Sequence, residues 1–476
     1  MAVAAPAAEL ARYTITVSAD LSTVTVAVKA SDKVEALASG SPEAADRLSA
    51  GPLESIALID GQLSFPTPLC GTRGIARYSA DLRPKPSRRA SINTLVDIPL
   101  ALTDPRQWLW LPEQFGAEDH VRIEFVLPKG ISVATPWKTK RGGSRPEFEL
   151  GPTMLDQEGL VAFGTLAQRE VMFGGATLRL SVASAAPAEV ARFGAWAEGV
   201  WRTTRGAVAA PRRSVEQLLV VPVKTANEAV PWGEVRRGTG NSVLALVLRN
   251  AIPAELTEDW TLYHELSHLY LPWLGEDRWL SEGFASYYQN VLRARDGVIA
   301  PEVAWQRLAE GLARGAAEAR ANPDRTVEQG RRMVTYWTGA ALALEWDLML
   351  RQATGGQDSL DALLARFAKK NLPAAETWDA MRFALALDAL SGDPRKRRTM
   401  PADYFSASMS RALAQRGFPD YLASFEGAGI DPATGKARAD TLEAFADLMR
   451  PARVDCLSAS RRASAARSAP GSCACR

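Results

Sequence analysis

The chain has 476 residues, 47% hydrophobic and 23% charged, with a formal net charge of +2. That length points to two or three domains, and that composition to a globular protein. So small a charge argues against a nucleic-acid or membrane-surface partner, and no run of roughly 18 apolar residues is present to form a membrane span.

Residues 1–12 open as Met1-Ala2-Val3-Ala4-Ala5-Pro6 and read as a disordered leader. Their small residues resemble the A-x-A end of a cleaved signal peptide, so an exported protein, periplasmic or secreted, is expected. Residues 13–185 carry short alternating runs, among them Tyr13–Ser18, Thr23–Val28, His120–Leu127 and Thr177–Val182, separated by Gly, Pro, Asp and Asn. Period-2 alternation of this kind predicts an N-terminal β-sandwich domain. His120 opens one of these strands and is expected to be structural. The four cysteines are Cys70, Cys456, Cys473 and Cys475, and none has zinc-finger spacing. In an oxidising compartment a Cys70–Cys456 disulfide would tie the C-terminal segment to the N-terminal domain.

The period changes after Ala185-Ala186-Pro187. Phe193, Trp196, Val200 and Trp201 recur at helical spacing, and the apolar runs Gln217–Val223 and Ser242–Leu248 read as strands. Between the strands lies Trp232-Gly233-Glu234-Val235-Arg236-Arg237-Gly238-Thr239-Gly240-Asn241. Its G-x-G lacks a third glycine and does not sit between a strand and a helix, so it is a turn or an edge strand and not a nucleotide site. Residues 258–449 are strongly helical, with helices expected over 279–295, 304–321, 334–354 and 359–370. Residues 371–450 form a C-terminal helical region, and 451–476, rich in Ser, Ala and Arg, a disordered tail.

Two of the three histidines fall in Tyr263-His264-Glu265-Leu266-Ser267-His268. Four residues make a little over one helical turn, so His264 and His268 share a face and can reach one zinc ion, with Glu265 beside them to carry a proton. A catalytic zinc needs a third protein ligand. Glu282 follows after residues 269–281, enough for a helix end, a Pro/Gly turn and the start of a second helix. Packed helices lie about 8–10 Å apart, so a glutamate on the second reaches a metal held by the first.

With Trp279-Leu280-Ser281-Glu282-Gly283-Phe284-Ala285-Ser286-Tyr287-Tyr288 following it, the H-E-x-x-H stretch resembles the gluzincin metallopeptidases. Two families are similar, that of glycyl aminopeptidase and, more distantly, that of aminopeptidase N. Arg351-Gln352-Ala353-Thr354-Gly355-Gly356 and the Ser-Leu-Asp helix after it favour the first. The resemblance implies a zincin-like catalytic domain over 186–370 holding one zinc ion, with Glu282 as third ligand. It implies that the tyrosine of Tyr336-Trp337-Thr338-Gly339 polarises the scissile carbonyl. The chain departs from the pattern in two places. The loop to Glu282 is shorter than in the aminopeptidase N family, and the G-x-M-E-N motif that holds a substrate amine is missing, leaving Glu234 as a substitute. The glycyl aminopeptidase family often ends in a PDZ domain; the residues after Lys370 read as helical and then tail-like, so that domain is expected to be absent or replaced.

The expected fold is multidomain α+β: N-terminal β-sandwich, zincin-like catalytic domain, C-terminal helical region. The expected activity is zinc-dependent hydrolysis of peptide bonds, as an aminopeptidase on short peptides, with Glu265 as general base. Ser286, one turn after Glu282, is a candidate to support the site, as are Glu345 and Asp347. The competing expectations are a catalytically silent zincin-fold binding protein and a zinc hydrolase of a non-peptide substrate.

Overall fold

The computed structural model describes residues 8–449 apart from 49–52, 66–73, 84–97, 114–115, 117, 153–157, 210, 212–213, 239, 375, 392–399, 440, 442. The leader up to residue 7, Cys70, Cys456 and the tail from 450 lie outside the described residues. The fold class is α+β, with sheets in the N-terminal half and helices in the C-terminal half.

A six-stranded sheet leads, in the order Lys138–Arg141, Glu147–Leu150, His120–Val126, Glu9–Val17, Thr23–Ala30, Ala76–Asp81. Its first strand starts at Glu9, four residues before the start expected from alternation. Tyr13, Ile15 and Val17 alternate with Thr14 and Thr16, and their buried face meets Val24, Val26 and Val28 of the neighbour. Smaller three- and four-stranded sheets share the same core, which is dominated by Trp108, Phe125, Trp137 and Phe163. Each such aliphatic or Phe side chain stabilises by roughly 1.5–3 kcal/mol when fully buried. His120 sits at the start of its strand, paired opposite Glu9.

The next sheet has five strands, in the order Ala167–Phe173, Ala176–Val182, Val215–Val223, Asn241–Leu248, Trp232–Arg236. Ala176–Val182 therefore belongs here: it pairs in parallel with Val215–Val223, not with the N-terminal sandwich where its alternation suggests. Val215–Val223 and Asn241–Leu248 read as near-continuous apolar runs because both faces are covered. Helix Pro187–Ala207 packs Phe193, Ala197, Val200 and Trp201 on one face. On the other, Leu219, Val221 and Leu244 meet Leu100, Ala134 and Ala162 of the N-terminal half. The Gly-rich link forms the antiparallel edge strand Trp232–Arg236 and a turn in which Gly240 takes φ +121°.

Helix Thr261–Ser267 carries the H-E-x-x-H motif and tightens into a 3₁₀ turn, His268–Tyr270. Leu271 is extended and Pro272 follows, which removes the donor a further turn needs. Helix Arg278–Arg295 runs to Asp296-Gly297, and helix Arg332–Thr354 ends on Gly355 in the left-handed region. The next helix, Leu360–Asn371, is capped by Ser359, whose Oγ accepts from the Ala362 amide at 3.3 Å. The two long helices approach at a glycine pair. A Cβ on Gly283 would lie 2.3 Å from the Gly339 Cα, and one on Gly339 would lie 2.6 Å from the Trp279 carbonyl oxygen. Glu282 immediately precedes one glycine, and Tyr336 lies one turn before the other, so the contact sets both side chains over the same site. Among the described residues no helix is long and apolar enough to cross a membrane.

Candidate metal centre

The H-E-x-x-H helix and helix Arg278–Arg295 bring His264, His268 and Glu282 together. His264 Nε2 lies 3.2 Å from Glu282 Oε2 and His268 Nε2 lies 3.7 Å from the same oxygen, with all three donor atoms within 4.8 Å of one another. Donors about 2.0–2.1 Å from a tetrahedral zinc ion stand about 3.3–3.5 Å apart, so small side-chain adjustments suffice. The imidazole and carboxylate donor set suits zinc.

Each imidazole is fixed through its other nitrogen. His264 Nδ1 faces Gln289 Oε1 at 2.9 Å, and His268 Nδ1 faces Ser281 Oγ at 2.9 Å. Gln289 can only accept through that oxygen, so Nδ1 carries the proton and Nε2 is turned toward the site. Ser286 does not take this part: it is buried within its helix, and its carbonyl accepts from Asn290. Asp347 is fully buried elsewhere, accepting from Tyr287 Oη, Arg351 Nε and the Leu360 amide. Glu345 accepts from Tyr404 and Ser408. Both carboxylates tie helices together, away from the centre.

Electrostatics sort the groups. Burial drives His268 down to about 3, leaving a neutral imidazole with a lone pair to donate. For Glu282, burial acts upward, but the His264 hydrogen bond and the His264 and Arg278 charges outweigh it and hold the carboxyl at about 2. Burial acts downward on His264, and its contacts with Glu282 and Glu265 prevail and raise it. Glu265 is outside the donor set; burial pushes it up to about 7, with Glu282 and Glu234 adding to that and His264 and Arg237 opposing.

A cavity of about 610 Å³ opens on the centre and is lined by Glu265, His268, Glu282, Tyr336 and the whole edge strand Trp232–Arg236. Tyr336 comes from the helix paired through Gly339, and its ring stacks on His264 at 5.8 Å and 21°. Burial, with Glu282 close by, lifts its hydroxyl to about 12, so it stays protonated. The edge strand lies directly on the motif helix: a Cβ on Gly233 would stand 2.4 Å from Glu265 Cγ. Only glycine permits that approach. Glu234 also lines the cavity, and Arg236 grips its two oxygens at 3.1 and 3.2 Å. The guanidinium of Arg237 donates to the His268 carbonyl.

Glu265, Tyr336, His264, His268, Glu282 and Glu234 thus meet in or on one cavity, and Ser286 does not. Gln289, Ser281, Gly233 and Arg237 are functional candidates that sequence reasoning missed. The signal for Gln289 was present, since seven residues after Glu282 is two helical turns and nearly the same face.

No family model matches the chain, and no curated protein matches it in sequence. Solved structures do match. An aminopeptidase N family protein from Idiomarina loihiensis aligns with a TM-score of 0.62 at 15% identity, over 88% of this chain and 78% of that one. Native yeast LTA4 hydrolase aligns with a TM-score of 0.52 at 14% identity, over 87% of this chain and 68% of its own. The chain thus shares the fold of the aminopeptidase N family protein and of yeast LTA4 hydrolase.

Proposed function

We propose that this chain is a zinc-dependent metallopeptidase acting on short peptides, with aminopeptidase action from a free N-terminus. One observation carries the reading. The His264, His268 and Glu282 donors lie within 4.8 Å of one another, and Glu265 and Tyr336 open into the same cavity. A scaffold that only binds would need neither of the last two. The hydrolytic names of both fold neighbours agree with this chemistry.

His264, His268 and Glu282 would hold the ion, which supplies Lewis acidity and brings the pKa of water toward neutrality. The protein's own groups do the rest. Glu265 takes the proton of the attacking water and passes it to the leaving amine. The Tyr336 hydroxyl, kept protonated by burial, donates to the oxygen of the scissile carbonyl as negative charge develops there. Among the described residues the edge strand Trp232–Arg236 pairs on one side, with Asn241–Leu248, so an extended peptide can add along its other side. To Glu234, oriented by Arg236, we assign the substrate ammonium.

Elemental analysis together with hydrolysis of free and N-blocked short peptides tests the reading. One zinc per chain and cleavage of free peptides only is the expected result. Cleavage of blocked peptides would remove the amine role from Glu234 and make the enzyme an endopeptidase. Zinc without cleavage would return the binding-protein reading, and absence of zinc would overturn the centre. Tyr336→Phe should lower kcat about 10²–10³-fold while leaving zinc content unchanged, as loss of one oxyanion donor does. An unchanged kcat would take Tyr336 out of the mechanism.

A further inference from the structure

The cavity over the metal centre is lined by Arg106, Arg236, Arg237 and Arg278 and, outside the reacting groups, by the carboxylates of Glu158 and Glu234. Their pairing is uneven. Arg106 stands 2.8 Å from Asp104 and 3.6 Å from Glu158, and Arg236 holds Glu234 at 3.1 Å. Both carboxylates and two of the guanidinium groups are thereby matched, and the surplus charge rests on Arg237 and Arg278. Among the described residues Arg237 forms no ion pair, and its guanidinium donates to the His268 carbonyl. Arg278 is 68% exposed and faces Glu282 Oε1 at 3.4 Å, whereas the imidazoles face Oε2.

These two arginines reach the same place from different elements. Arg237 follows the edge strand, and Arg278 opens helix Arg278–Arg295. Burial is the main cause that depresses the His268 imidazole, and the Arg237 and Arg278 charges add to it, so both stand within electrostatic reach of the centre. A zinc ion held by two neutral imidazoles and one carboxylate would add one more net positive charge. The cavity therefore favours an anion. Guanidinium carries five donors in a planar fork that matches a carboxylate, and a carboxylate is the anionic group that peptides carry. One residue spans at most about 3.3–3.6 Å, so the C-terminus of a dipeptide, or an acidic side chain beside the scissile bond, lies within this same cavity.

We propose that Arg237 and Arg278 select peptides carrying a carboxylate close to the scissile bond, either the free C-terminus of a very short peptide or an acidic side chain. The inference rests on the peptidase reading of this centre and adds a substrate class to it. A dipeptide is then held at both ends, its ammonium by Glu234 and its carboxylate by the two arginines. Arg237, anchored on the His268 carbonyl, fixes the direction of one fork, and the exposed Arg278 closes on the carboxylate from the helix.

Calorimetric titration of the zinc-loaded Glu265→Gln protein tests the assignment with two matched pairs of peptides. Ala-Ala against its C-terminal amide isolates the terminal carboxylate, and Ala-Asp-amide against Ala-Asn-amide isolates the side chain. In at least one pair the acid should bind about 10–100-fold more tightly, as hydrogen bonds to a charged group allow. The pair that responds names the source of the carboxylate. Adding Arg237→Gln or Arg278→Gln should cut that acid-to-amide ratio about threefold or more, and Arg278→Lys, which keeps the charge, should retain most of it. Zinc content and melting temperature identify a variant that has lost the metal or the fold, and the other variant then decides. A ratio near one in both pairs, or a ratio that neither glutamine lowers, would overturn the assignment. Hydrolysis by the unaltered protein separates the two ideas. Cleavage of acids and amides alike, with equal binding, removes the carboxylate preference alone. A ratio that the glutamines abolish, without cleavage of any peptide, keeps the arginine site and removes the peptidase.

Discussion

Glu265→Gln should keep one zinc per chain and lower kcat by about 10²–10⁴-fold, the range that general acid–base catalysis supplies. The reason lies in how the residue is held. Glu265 is not among the three donors, so the amide leaves the metal centre intact. Its Cγ packs beneath the Gly233 backbone, and glutamine preserves that packing. Only the proton-accepting oxygen is lost. Burial already penalises the charge on this carboxyl, so the amide should leave the melting temperature unchanged or slightly raised. His264→Ala makes the contrast, because it should lose zinc together with activity. Elemental analysis, kcat and thermal melting measured on one preparation distinguish the two. Wild-type turnover in Glu265→Gln would remove the residue from the mechanism, and loss of zinc would make it a ligand.

Much of the centre was legible because it depends on local periodicity. The i, i+4 spacing of His264 and His268 fixes a shared face in any helix, and Pro272 and Gly275 announce the turn that returns the chain to Glu282. The expected helix positions followed from the same periodicity and from Asp296-Gly297, Gly355 and Ser359. What was not legible depends on partners distant in sequence. Alternation marks Ala176–Val182 as a strand but does not name its neighbour, and pairing with Val215–Val223 moves it into the five-stranded sheet. Ser286 looked suitable because it lies one turn from Glu282. A serine side chain is short, however, and four residues overshoot the face by about 40° where seven fall short by about 20°. Gln289, longer and better aligned, reaches His264 instead. Glu234 shows the same limit: the sequence offers a carboxylate near the site, but not the Arg236 fork that holds it.

Gly283→Ala and Gly339→Ala should each destabilise the protein by about 1–3 kcal/mol, the usual cost of overpacking, and lower kcat in the folded fraction by about 10²-fold. Helices normally pack about 8–10 Å apart, and this pair comes closer because neither side carries a Cβ at the crossing. A methyl on Gly283 would overlap the Gly339 Cα at 2.3 Å, where the obstacle is backbone and cannot rotate away. The helices must then separate, carrying Glu282 on one and Tyr336 on the other. A shift of about 1 Å is enough to misplace reacting groups, so zinc affinity should fall along with turnover. Gly199→Ala supplies the opposite sign. It lies in helix Pro187–Ala207, and a Cβ there would meet nothing within 4 Å. Replacing a glycine in an open helical position should stabilise by about 0.5–1 kcal/mol. Thermal melting and zinc titration of the three variants check the argument. Gly283→Ala or Gly339→Ala matching Gly199→Ala in stability and zinc binding would mean that the close helix contact does not set the position of Glu282.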